Sequence, residues 1–132
     1  MAKSRPGAEN KTELIAFRLT PRNRYGLELV CRVHGLTQTA AIAFALRQLI
    51  DNPKHGLARE SGYVALKEIQ AKTFSPDPAI RFINLAERYP ELLNQAELTV
   101  WGKLKKPTAR YRSKAGEWNV DEVRKLLEAE GL

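Results

Sequence analysis

The sequence predicts a mainly helical protein: one short strand and two helices, completed by a second copy of the chain, followed by a small all-helical C-terminal domain. Three observations lead there. Residues 14–19 alternate in the period of a strand, several later stretches repeat apolar residues at helical spacing, and no other run alternates comparably. An unpaired strand leaves a row of backbone donors and acceptors open. The same strand of a second copy satisfies them most simply, so a homodimer is expected.

The first module is read over residues 13–52. In Leu14-Ile15-Ala16-Phe17-Arg18-Leu19, side chains alternate between two faces, placing Ile15, Phe17 and Leu19 on one and Leu14, Ala16 and Arg18 on the other. One face is core and the other is free. Thr20-Pro21 has the form of a helix start, with threonine accepting from an orphan amide and proline losing nothing at the first helical position. The first helix is predicted from Pro21 to His34, with Leu27, Val30, Cys31 and His34 as its apolar stripe and Gly35 as its left-handed stop. Thr37 is placed to cap a second helix carrying Ile42, Ala45, Leu46 and Leu49, which Asp51-Asn52-Pro53 ends.

The strand F-R-L-T, the spacing from strand to glycine, and G-L-T-Q-T followed by A-x-I-A-x-A-L make residues 13–51 resemble the ribbon-helix-helix family of Arc and MetJ type repressors. The resemblance implies an intertwined dimer that inserts an antiparallel ribbon into the DNA major groove and clamps flanking phosphates with the start of its second helix. Leu14, Ala16 and Arg18 fall at the family's groove-facing positions, and Thr37, Gln38 and Thr39 at its phosphate clamp. A helix N-terminus offers amides and a positive dipole end to an anion. The sequence departs from the family in its reading face, where only Arg18 is a good hydrogen-bonding group; Leu14 and Ala16 can touch only thymine methyls or sugars. It departs again at Asn23-Arg24, where the family commonly begins an apolar stripe.

Charge adds a polyanionic partner to this expectation. The formal net charge is +7 over 132 residues, unevenly spread. Residues 1–51 carry eight Lys/Arg against four Asp/Glu, 52–98 six against six, 99–116 six against none, and 117–132 two against five. One focus includes residues 1–12, a disordered basic arm in which Lys3 and Arg5 are candidate phosphate contacts. The other holds Lys103, Lys105, Lys106, Arg110, Arg112 and Lys114 around Tyr111, either a solvated loop or a second nucleic-acid contact. A lone cysteine suits a reducing compartment, no apolar stretch reaches the length of a membrane span, and the expected location is cytoplasmic.

Residues 53–62 read as a linker and 63–132 as the helical domain. Helical patterns cover Ser61–Lys72 (Tyr63, Val64, Leu66, Ile69) and a stretch opened by Asp77-Pro78 (Ile80, Phe82, Ile83, Leu85). A third starts at Pro90 (Leu92, Leu93, Ala96, Val100, Trp101, Leu104), since helical spacing fits Leu98-Thr99-Val100-Trp101 better than a strand. Asn119-Val120-Asp121-Glu122 has the form of a capping box before Val123, Leu126 and Leu127, with Gly131 past the end. Trp101 and Trp118 are expected as core anchors.

Catalysis has little support in these residues, and neither a cofactor nor a metal is expected. Cys31 and His34 share a helix face but supply two of the four ligands a zinc site needs. Glu87, Glu91 and Glu97 have the spacing of a solvated face. The expected function is a homodimeric, sequence-specific DNA-binding protein: a transcriptional regulator such as a repressor, or a plasmid or mobile-element accessory factor. Relaxosome accessory proteins, partition proteins and antitoxins resemble this layout. The competing expectation is an antitoxin or inhibitor that grips a partner protein through residues 63–132.

Overall fold

Residues 13–106 and 110–132 are described by the computed structural model of the chain, which divides into two compact units, Met1–Ala45 and Leu46–Leu132. The basic arm expected at residues 1–12 lies outside the described residues. The division falls inside a helix, seven residues before the boundary expected from the sequence at 52/53.

In the first unit, residues 13–19 carry no regular secondary structure, and among the described residues no backbone hydrogen bond reaches them. A ladder needs a second strand, and the described residues of the single chain supply none here. Helix α1 spans Pro21–His34, its start fixed by Thr20, whose Oγ1 accepts from Asn23 N at 3.2 Å. Its end is fixed by Gly35 in the left-handed region (φ 63°), from which both the Gly35 and Leu36 amides donate to Cys31 O. Two residues later Thr37 Oγ1 accepts from Ala40 N at 3.1 Å and opens α2, Gln38–Asp51, at 92° to α1. The cap, glycine and threonine assignments all match the sequence expectation. The stripes pack sparsely: Leu27, Cys31 and Leu36 are half-buried, the His34 and Phe44 rings stack at 6.3 Å, and Ala41 is the unit's one buried apolar residue among those described.

The second unit departs from the sequence expectation at its beginning. The linker read over 53–62 holds a 3-10 turn, Pro53–His55, and the strand β1, Leu57–Arg59, while Ser61–Val64 is not helical. Strand β2, Gly62–Val64, pairs antiparallel with β1 in the register Leu57↔Val64, Ala58↔Tyr63 and Arg59↔Gly62. The domain is therefore not all-helical. Gly62 takes φ 120°, closed to most side chains, and Tyr63-Val64 favours a pleated surface over a helix start. The helix begins only at Leu66 and runs to Thr73 as α3.

Helix α4, Pro78–Arg88, starts as expected, with Asp77 Oδ1 accepting from Ala79 N at 2.9 Å. Pro90 opens a 3-10 turn, Pro90–Leu92, and the helix expected from it begins later as α5, Gln95–Leu104. Its start is a true capping box, with Glu97 N donating to Asn94 Oδ1 and Asn94 N to Glu97 Oε1, both at 2.9 Å. Conversely, the box expected at Asn119–Glu122 does not form at the head of α6, Val120–Ala129. The Glu122 carboxylate is taken by Arg110 and Lys125, and the Asn119 amide donates to Tyr111 O.

The core gathers Ala79, Phe82, Ile83 and Ala86 of α4, Leu93, then Val100, Trp101 and Leu104 of α5, and Val123 and Leu127 of α6. Trp101 is buried in it and Trp118 packs on its edge, so both are anchors as expected. Among the described residues no single helix is long and apolar enough to cross a membrane.

Candidate nucleic-acid interface

The candidate base-facing residues lie on the segment that precedes α1. Leu14 is 94% exposed, and Ala16 and Arg18 are exposed beside it. Their alternates are uncovered too: Ile15 is 80%, Phe17 57% and Leu19 41% exposed. Both faces of the segment are therefore open in a single chain. Arg18 has no carboxylate partner among the described residues, and the same holds for Arg22, Arg24 and Arg32 of α1. Arg22 is absent from the sequence reading and Arg24 enters it only as a departure from the family's apolar stripe, although their place beside Thr20-Pro21 is a signal. The first turn of α1 holds no acid, so two cations sit at the positive end of its dipole.

The candidate phosphate clamp is the start of α2. The first helical bond runs from Ala41 N to Thr37 O, and Ala40 N is held by the Thr37 hydroxyl. That leaves the amides of Gln38 and Thr39 without an intrahelical acceptor, as the first turn of any helix does. All three candidate side chains are exposed and no acid stands in this turn. An anion at this position meets amides and a dipole but no repelling carboxylate.

The second basic focus is arranged differently. Arg112 stacks over Trp118 at 4.1 Å and donates to Glu87 Oε1, the same carboxylate oxygen that accepts from Trp118 Nε1. Arg110 pairs with Glu122 at 3.2 Å, Lys103 pairs with Glu130, and Lys105 lies over the Trp101 ring at 5.6 Å. Lys106 and Lys114 have no carboxylate partner among the described residues. Most of this run is thus committed inside its own unit, closing residues 110–119 onto α4 and α6. Lys3 and Arg5 lie outside the described residues.

The three glutamates on successive turns do separate things. Glu87 holds Arg112 and Trp118, Glu91 pairs with Arg59 at 2.5 Å, and Glu97 completes the α5 cap. An amide interaction at its own backbone and the Arg59 guanidinium hold the Glu91 carboxyl below its ordinary value, and Arg110 and Lys125 do so for Glu122. Partial burial pushes Asp77 up, but the Ala79 amide and Arg124 outweigh it and leave that carboxyl lowered as well. Among the described residues no three His, Cys, Asp or Glu converge as a metal site. Within the second unit, a cleft of about 600 Å³ lies beside Phe82, Leu85, Leu127 and Leu132, rimmed by Arg81 and Glu128.

The chain matches no protein-family model, no curated protein and no solved structure.

Proposed function

We propose that the chain is a homodimeric, sequence-specific DNA-binding protein of the ribbon-helix-helix kind, acting as a transcriptional regulator or as an accessory factor of a mobile element. One observation carries this reading: an alternating segment with open backbone and both faces uncovered, attached to a helix pair that buries little besides Ala41. Two 14-residue helices are marginal alone in water. Pairing the segments of two copies satisfies the backbone groups on their facing edges and covers what remains exposed of Ile15, Phe17 and Leu19, worth up to roughly 1.5–3 kcal/mol for Ile15 and less for the other two. The outer residues Leu14, Ala16 and Arg18 then face away from the dimer core, on a ribbon of a width that a major groove admits. The starts of the two α2 helices offer their free amides to phosphates on either side. Basic charge in the first unit, unpaired among the described residues, supports a polyanion as the partner.

The test is selection of duplexes from a random pool by the purified chain, followed by sedimentation of the complex. Enrichment of a two-fold symmetric site bound by two chains supports the reading, and Arg18→Ala is expected to lose most of the preference for that site while the dimer persists. A monomer that enriches nothing overturns it. A second reading, protein binding by residues 63–132, is favoured by the open cleft beside α4 and α6; a stoichiometric protein partner that binds Leu46–Leu132 and leaves duplex binding intact would add this role.

A further inference from the structure

We infer that this protein reads its duplex through thymine methyl groups together with one guanine per half-site, so that two of its three outward positions are apolar where hydrogen bonding would be expected. The inference rests on the ribbon reading above and concerns what that ribbon can recognise.

The three outward positions have unlike chemistry. Leu14 is the most exposed large apolar residue described in the chain, at 94%, and Ala16 beside it is exposed as well. Neither side chain has a donor or an acceptor, and in a paired ribbon the backbone groups lie in the plane of the sheet, half of them bonded to the neighbouring strand, and not on the face these side chains present. The major-groove edges of the four base pairs present donors, acceptors and a single apolar group, the C5 methyl of thymine. A leucine set against any other edge strips water from polar groups and returns no hydrogen bond. Set against a methyl, it loses only water that neither surface held well.

Arg18 completes the set. Its guanidinium has no carboxylate partner among the described residues, and its fork matches the N7 and O6 of one guanine. Residues two apart on a strand are about 6.6 Å apart, roughly two base-pair rises, so the three contacts fall on separate base pairs. The second copy repeats them in inverted order.

The experiment rebuilds the duplex selected by the full chain with deoxyuridine in place of each thymine, which removes the methyl and keeps the pairing. Affinity is expected to fall about three- to fourfold for each methyl that faces Leu14, the equivalent of one buried methyl-sized group. Leu14→Ala is expected to lose that sensitivity. In the same duplex, 7-deazaguanine at the conserved guanine of the selected pool removes N7 and is expected to cost about fivefold or more for the wild-type chain, and nothing for Arg18→Ala. Indifference to uridine at every thymine overturns the inference, as does an equal loss in wild type and Leu14→Ala, which would mean that the methyls act through duplex shape. A chain that selects no duplex overturns the DNA-binding reading itself, a result distinct from a selected duplex indifferent to its methyls.

Discussion

Thr39 occupies the first turn of α2, next to the amides of Gln38 and Thr39 that no intrahelical acceptor takes. A carboxylate there would repel a phosphate at the same place. Thr39→Glu is therefore expected to weaken binding to cognate and random duplexes alike, by about fivefold or more in fluorescence anisotropy; unchanged affinity removes the start of α2 from the interface. At Gly56 the constraint is steric: an added Cβ would lie 1.9 Å from Val64 O, a backbone atom that cannot step aside cheaply. Gly56→Ala is expected to cost about 1–3 kcal/mol and to lower the melting temperature of the second unit. An unaltered melting curve would contradict the hairpin geometry. These two positions also show which residues a sequence makes legible. Thr20, Gly35, Thr37 and Asp77 act on neighbours within a few positions, so their roles are written in local pattern. Gly56 is needed because of a residue eight positions on, and nothing in its immediate neighbours announces that contact.

Among elements, the segment 110–119 is held by charge and aromatic contacts more than by helix propensity. Arg112 joins it to α4 through Glu87 while covering Trp118. Both side chains of that pair are about half exposed, at 50% and 42%, so the ion pair contributes little and the stacked cation roughly 0.5–1 kcal/mol. Arg112→Ala is expected to lower the melting temperature by a few degrees and to leave the dependence of log affinity on log salt unchanged. A flattened slope would instead place Arg112 on phosphate. The basic run was legible as a run, but its use was not, because Glu87, Glu122 and Glu130 stand far from it in sequence. The same physics separates the capping box that fails at α6 from the one that forms at α5. Glu122 has the spacing of a capping residue yet is drawn to Arg110 and Lys125, whereas Asn94 and Glu97 have no competing cation and form their box. Residues 57–64 read as linker and helix because three-residue strands are too short to show a period.

At the scale of the whole molecule the two units hold themselves together differently. The second has its own core and a set of paired carboxylates, and the acid response follows from them. Asp77, Glu91 and Glu122 titrate below their ordinary values in the folded chain, so the unfolded chain takes up protons first. Their contribution is complete at neutral pH and is lost as pH falls from about 4 through the lower folded values. Melting followed by circular dichroism should be flat from neutral pH to about 5 and then decline; a melting temperature unchanged at pH 3 would show that these pairs add nothing. Among its described residues the first unit has no such reserve. Its helices and caps are readable from residue order, but among the described residues no segment pairs with residues 14–19, and the proposed second copy is inferred from their open backbone and uncovered faces. The direct test is an isotope-filtered nuclear Overhauser experiment on an equal mixture of labelled and unlabelled chains. The ribbon account predicts cross-peaks between residues 15–19 of one copy and the same residues of the other. Contacts of that segment only within its own chain, in a sample that sediments as a 14.9 kDa monomer, would contradict it.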